Sequence, residues 1–131
     1  MAHELHESGE DYLEAILMIE NERGLARSVD VAERLGVTKA SVSKAMGILE
    51  GRGYIEMARR QVRLTEAGRV VAERMLERHE YFRGLLVRAG VTPEVAAAEA
   101  CHMEHCLSSD SFAKLRAHLE GIDARCATRP S

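Results

Sequence analysis

From Ser28 to Leu64 the apolar residues keep helical spacing through two short segments and then break into two runs brief enough only for strands. Ser28 suits the N-cap of a short helix that presents Val31, Ala32 and Leu35 on one face and stops at Gly36. After a three-residue turn, Thr38 is the expected N-cap of a second helix, with Val42, Met46 and Leu49 turned to the core and Gly51 and Gly53 as breakers. Tyr54 to Met57 and Gln61 to Leu64 then read as a hairpin with the polar tip Ala58-Arg59-Arg60. An earlier helix, near Leu5 to Asn21, offers Leu5, Tyr12, Leu13, Ile16, Leu17 and Ile19 to the same core, with Gly24 as its stop. Helix, short helix, turn, helix and hairpin is the order of a winged helix-turn-helix, whose second paired helix enters a DNA major groove.

The charge distribution agrees with that reading although the total does not. The 131-residue chain has a formal net charge of -3, which by itself argues against a nucleic-acid partner. The charge is segregated, however. Residues 1–22 contain Glu and Asp but no Lys or Arg, whereas from Arg23 to Arg74 basic residues clearly outnumber acidic ones. Thr38, Lys39, Ser41, Ser43 and Lys44 lie at the start of the second helix, where side chains reach base edges and phosphates. Arg59 and Arg60 at the hairpin tip are placed to meet the phosphate backbone or the minor groove. Any one of these residues alone could equally belong to a solvated face. Helix spacing, wing and local basic excess together favour double-stranded DNA.

The remainder is helical by pattern. Thr65 is the expected cap of a long helix to about Ala89, closed by Gly90. Thr92-Pro93 opens another, to about Leu107, since proline suits the first helical position. Ser108 or Ser109 caps a last helix to about Glu120, and ARCATRPS reads as a frayed tail. The fold expected is mainly α, with a winged helix-turn-helix domain over residues 1–72 and a helical domain over 73–131. Hydrophobic residues at 46% and charged ones at 30% are globular proportions. No run approaches the roughly 18 apolar residues of a membrane span, and the acidic start lacks the pattern of a signal peptide. A cytoplasmic location with no membrane association is expected, with the three cysteines Cys101, Cys106 and Cys126 as thiols.

Residues of metal-ligand type recur at helical spacing. Asp11 and Glu14, three apart, can direct two carboxylates at one cation, although exposed acidic pairs of this kind are common. Cys101, Glu104 and His105 stand at i, i+3 and i+4, and thiolate, carboxylate and imidazole form a donor set for a divalent transition metal. His79 lies in the long helix, where a lone histidine is more often an ordinary surface or core residue. His102 points about 100° away from the trio on an ideal helix. His102, Cys106, Cys126, His3, His6 and His118 read as structural or peripheral.

At these residues the chain resembles the metal-dependent repressors of the diphtheria toxin repressor and manganese transport regulator family. The segments that carry the likeness are SGEDYLEAI, VDVAERLGVTKASVSKAMGILEGRGYI, VRLTEAGRVVAERMLERHEYFRGLL and EACHMEHCLS, in the family's order from about Glu7 to about Gly121. The resemblance implies that Asp11, Glu14, His79, Glu104 and His105 are metal ligands, as in the manganese-responsive branch. Cys101 departs from that branch, which has glutamate there, and matches the iron-responsive branch, which in turn has methionine at the position of Asp11. Arg83 and Ala97 stand where the iron branch has ancillary glutamate and histidine ligands, so that second site is expected to be absent. The SH3-like third domain of longer members is likewise not expected.

Together these readings give a metal-activated repressor of iron or manganese homeostasis genes and not an enzyme. It would act as a homodimer built from the helices after Thr92, on a two-fold operator. Hard oxygens suit Mn(II) and a thiolate favours Fe(II), Co(II) or Zn(II). The expectation is Fe(II) or Mn(II), with Co(II) or Zn(II) able to substitute and a second ion bridged by Glu104 left open. An alternative regulator would sense an oxidant or small molecule through Cys101 or Cys106. A dinuclear hydrolase is disfavoured, because no nucleophile or oxyanion-hole loop accompanies the carboxylates.

Overall fold

The computed structural model describes residues 7–128, with side chains described for residues 8–122. His3, Leu5 and His6, and the side chain of Cys126, lie outside that description. The elements are α1 (Glu7–Arg23), β1 (Ala26–Arg27), α2 (Ser28–Leu35), α3 (Lys39–Gly51), β2 (Ile55–Ala58), β3 (Gln61–Leu64), α4 (Glu66–Arg88), α5 (Pro93–Met103) and α6 (Ser109–Thr128). The architecture is mainly α, as the sequence predicts. Among the described residues no helix is long and apolar enough to cross a membrane.

The chain divides into two compact units, Met1–Glu77 and Arg78–Ser131. In the first, α1 is the central helix. Tyr12, Leu13, Ile16, Leu17 and Ile19 are buried as expected, and Glu14 and Ala15 are buried between them, so the helix is enclosed on nearly every side. Val42, Met46 and Leu49 of α3 and Val31 and Ala32 of α2 complete this core with Ile55 and Val62 of the hairpin. The left-handed Gly36, with the Val37 amide donating to the Ala32 carbonyl at 3.1 Å, ends α2 and sets the turn into α3.

Two local expectations are corrected. Ser28 does not cap α2, for it is already helical. The preceding Arg27 is the cap position, and its amide donates to the Asp30 carboxylate at 3.2 Å. The reason is β1, which the sequence reading omitted. Ala26 pairs with Val62 and Arg27 with Gln61, making an antiparallel sheet of order β1-β3-β2. Two residues are too few for a period-2 pattern to register. The last helix also runs to Thr128 rather than Glu120, so most of the tail expected to fray is helical.

Thr65 joins the hairpin to α4 from three directions. Its amide donates to the Tyr54 carbonyl at 3.0 Å, its hydroxyl donates to the Gly53 carbonyl at 2.6 Å, and its oxygen accepts from the Gly68 amide at 3.1 Å. A Cβ at Gly68 would clash with the Tyr54 carbonyl oxygen, so only glycine permits this approach.

The second unit has a smaller core. Tyr81, Phe82 and Phe112 form three edge-to-face pairs with centroids 5.6–5.8 Å apart. The small side chains Ala96 and Ala100 are fully buried on α5, and Ala100 packs in the same cluster as Phe82 and Phe112. The Gly68→Ala variant is expected to lose about 3 kcal/mol of stability, at the upper end for overpacking. Urea denaturation followed by circular dichroism measures it.

Candidate nucleic-acid interface and metal centre

The first turn of α3 is built by its cap. The Thr38 oxygen accepts from the Ser41 amide at 3.1 Å, and its hydroxyl donates to the Ser41 oxygen at 3.0 Å. Lys39, Ser43 and Lys44 stand exposed beyond it. An open groove of about 440 Å³ is lined by Arg27, Ser28, Val29, Lys39, Val42, Ser43, Met57, Arg59 and Arg60. The structure thus brings Lys39, Ser43, Arg59 and Arg60 to one groove, while the cap residue Thr38 and Ser41 and Lys44 of α3 are exposed outside its lining. Four cationic side chains around one groove suit a phosphate backbone.

Arg27 is the groove residue that the sequence reading missed, because its position depends on β1. Its guanidinium donates to Asp30 at 3.3 Å, and Arg23 reaches the same carboxylate at 3.1 Å. The Asp30 carboxyl is held below its usual range, first by the hydrogen bond from the Arg27 side chain. Burial opposes this, and the charges of Arg27 and Arg23 reinforce it. At the wing tip Arg59 has φ 61, in the left-handed region, because two residues connect Ala58 to its register partner Gln61. Glycine is the residue for such a position, and a cationic side chain held there stores strain where a charge is useful.

The second unit gathers the metal-ligand types. His79 Nδ1 lies 3.3 Å from Glu104 Oε2 and 3.7 Å from Cys101 Sγ. His105 Nε2 lies 3.3 Å from the other Glu104 oxygen, Oε1. One ligand atom from each of His79, Cys101 and Glu104 lies within 4.8 Å of the others, and Glu104 is 0% exposed. Around one cation with bonds of about 2.0–2.3 Å, neighbouring donors of a tetrahedron stand about 3.3–3.8 Å apart, and opposed donors of an octahedron about 4.0–4.6 Å. The spacings need only small adjustments to converge, and the donors are of transition-metal type, so the residues fit a divalent ion.

The helical spacing expected of Cys101, Glu104 and His105 is corrected in part. α5 ends at Met103 rather than near Leu107, with Glu104 as its C-cap. The His105 amide donates to the His102 carbonyl at 3.4 Å and the Cys106 amide to Met103 at 3.1 Å, which tightens the chain into an i to i+3 turn. His105 therefore meets Glu104 from beyond the helix end. Asp11 and Glu14 lie on α1 in the first unit, Glu14 buried and Asp11 partly exposed. The Cys106 thiol donates to the His102 carbonyl at 3.3 Å, an ordinary local contact.

A winged helix with a basic groove, in a chain that also carries this mixed donor cluster, defines a metal-dependent DNA-binding regulator. Residues 4–61 match the iron dependent repressor N-terminal DNA binding domain, and residues 65–130 match the iron dependent repressor metal binding and dimerisation domain. The chain belongs to the iron-dependent repressor family, whose members are metal-dependent DNA-binding transcriptional repressors. It is 40% identical over 108 residues to the transcriptional regulator MntR of Escherichia coli O6:H1, covering 82% of this chain and 70% of that protein. To the HTH-type transcriptional regulator MntR of Bacillus subtilis it is 35% identical over 122 residues, covering 90% and 86%. A solved manganese-dependent transcriptional repressor in complex with manganese superposes with a TM-score of 0.74 at 29% identity, over 86% of this chain and 52% of that one. The chain thus spans about half the length of that structure. Sensing through cysteine instead of metal is not favoured.

Two outcomes follow at the DNA face. Because the Asp30 carboxyl is depressed in the folded state, its contribution is present above its unfolded pKa of about 3.9 and is lost as pH falls through the lower folded value. Asp30→Asn is expected to lower stability near neutrality and to flatten the acid limb below about pH 4, read from urea midpoints against pH. Arg59→Gly is expected to gain about 1 kcal/mol from relief of the left-handed backbone. The same change should reduce the salt slope of operator binding by about 1. Thermal melts and anisotropy titrations at several salt concentrations test the two halves separately.

Proposed function

We propose that the chain is a homodimeric repressor of iron or manganese homeostasis genes, activated by Fe(II) or Mn(II), with Co(II) or Zn(II) able to substitute. The observation that carries this reading is the convergence of His79, Cys101 and the fully buried Glu104 at 3.3–3.7 Å. His79, Cys101, Glu104 and His105 would hold the ion, with Asp11 and Glu14 as further carboxylate ligands. Glu104 offers Oε2 on the side of His79 and Oε1 on the side of His105, which suits a carboxylate bridging two ions. When bound, a divalent cation supplies the positive charge that offsets these carboxylates. The thiolate of Cys101 tilts the preference toward Fe(II), and the likeness to a manganese-dependent repressor keeps Mn(II) beside it.

In this proposal residues 1–72 read DNA and residues 73–131 bind metal and dimerise, within the cytoplasm and without catalysis. Thr38, Lys39, Ser41, Ser43 and Lys44 address the major groove, and Arg59 and Arg60 the flanking backbone. Val95 on α5 and Leu115 and Ile122 on α6 are exposed apolar residues, which supports a dimer formed after Thr92. If ligand carboxylates come from both domains, drawing them together narrows the arrangements that the DNA-reading part can adopt. Metal and operator that favour one arrangement then raise each other's affinity by the same factor.

Fluorescence-anisotropy titrations of palindromic operator DNA with Mn(II), Fe(II), Co(II), Zn(II) and chelator test this directly. Wild type is expected to gain about 5- to 150-fold in affinity with the activating ion. His79→Ala and Glu104→Ala are expected to show almost no gain, and Cys101→Glu to shift preference toward Mn(II). Equal DNA affinity with metal and with chelator defeats the reading, as does peroxide-sensitive binding that ignores chelator.

A further inference from the structure

We propose that Arg78 is a positioning residue for the metal centre, acting by fixing the main chain of the turn that carries Glu104. The inference rests on the metal-binding reading above. Arg78 is 6% exposed. Its Nη1 donates to the Glu104 carbonyl at 3.0 Å and to the Leu107 carbonyl at 2.6 Å, and its Nη2 donates to the Ser109 hydroxyl oxygen at 3.1 Å. The guanidinium carbon stands 5.3 Å from the centroid of the Phe112 ring. One planar fork thus spans the whole connection between α5 and α6.

Three arguments assign this arrangement to the metal centre rather than to general packing. First, the consecutive residues Arg78 and His79 grip the same residue in two ways, Arg78 by the Glu104 carbonyl and His79 by its carboxylate at 3.3 Å. The backbone of Glu104 is therefore fixed from the helix turn that also supplies a ligand. Second, the turn lies beyond the regular i to i+4 hydrogen bonding of α5. α5 has ended at Met103, and the His105 and Cys106 amides make only i to i+3 bonds at 3.4 and 3.1 Å. Third, burying a guanidinium is costly, and apolar residues of similar volume often serve stability as well or better. Its hydrogen bonds here go to two carbonyls and a hydroxyl, a pattern that orients backbone and that a point-like ammonium cannot span. Partners that orient metal ligands typically change metal affinity by about 10- to 100-fold when removed.

Electrostatics gives the opposite sign, which makes the proposal decidable. A buried cation near a cation site repels the bound ion, so charge alone predicts that Arg78→Met binds metal more tightly. Positioning predicts weaker binding. The experiment uses the full chain with Co(II) as probe. Affinity is measured by isothermal titration and ligand geometry by the visible Co(II) bands, for wild type, Arg78→Lys, Arg78→Met and Ser109→Ala, each checked for folding by its melt. Both Arg78 variants are expected to bind Co(II) about 10-fold or more weakly with altered bands, and Ser109→Ala to show a smaller loss. Unchanged or tighter Co(II) binding with a wild-type spectrum in a folded Arg78 variant overturns the proposal. If Arg78→Met does not fold, Arg78→Lys decides by the same criterion. Failure of wild type to bind Co(II) overturns the metal reading itself, whereas wild-type binding indifferent to both substitutions overturns only the role of Arg78.

Discussion

A carboxylate removed completely from water at the end of a helix is expensive, and Glu104 is such a group in the second unit. Its two oxygens each face an imidazole at 3.3 Å, His79 from α4 and His105 from the turn beyond α5. The second of these contacts is made from the i to i+3 turn that follows the end of α5 at Met103. The aromatic triangle of Tyr81, Phe82 and Phe112 and the close-packed alanines of α5 hold the supporting helices. A carboxylate already dehydrated and oriented would need little reorganisation to accept a cation, which is the general advantage of a preorganised site.

The DNA-reading unit rests on a different device, a set of short side-chain caps that fix where elements begin. Thr38 starts α3, Asp30 secures the entry to α2, and Thr65 fixes α4 against the hairpin. Each satisfies amides that a helix start leaves open, so the starts are defined locally around the enclosed α1. Charge follows the same division of labour. Acidic residues concentrate in the head and basic ones around the groove, which is why a chain of net charge -3 still presents Arg27, Lys39, Arg59 and Arg60 together.

Elements with strong periodicity or strong punctuation were legible in the sequence. Val42, Met46 and Leu49 identify the buried face of α3, and Gly36, Thr38 and Thr65 mark boundaries that the structure keeps. What escaped depends on contacts distant in sequence. β1 exists only because Ala26 finds Val62, and Arg27 enters the groove only as a consequence. Nothing local in the sequence signals that the Arg78 fork finds carbonyls at Glu104 and Leu107. The end of α5 at Met103 was not legible, since no glycine or proline stands between Pro93 and Leu107 to mark it. The structure brings His79, Cys101 and Glu104 together, with His105 3.3 Å from the second oxygen of Glu104, and Asp11 and Glu14 stand on their own helix in the other unit.

The cluster also limits how selectivity can arise. Among divalent ions a site of nitrogen, oxygen and sulfur favours the later ones, so affinity alone places Fe(II) and Mn(II) below Zn(II). A preference for the earlier ions must come from geometry or availability. His79, Cys101 and Glu104 provide three donors at short spacing, which a tetrahedral ion completes with one more ligand and an octahedral ion with three. If further carboxylates are needed to fill an octahedral shell, an ion content with four ligands has no reason to recruit them. The ion that binds the three-residue cluster most tightly is then not the one that best organises the whole chain. On the proposed ligand set, affinity and activation would thus be separable quantities, with Cys101 bearing mainly on the first and the oxygen donors on the second.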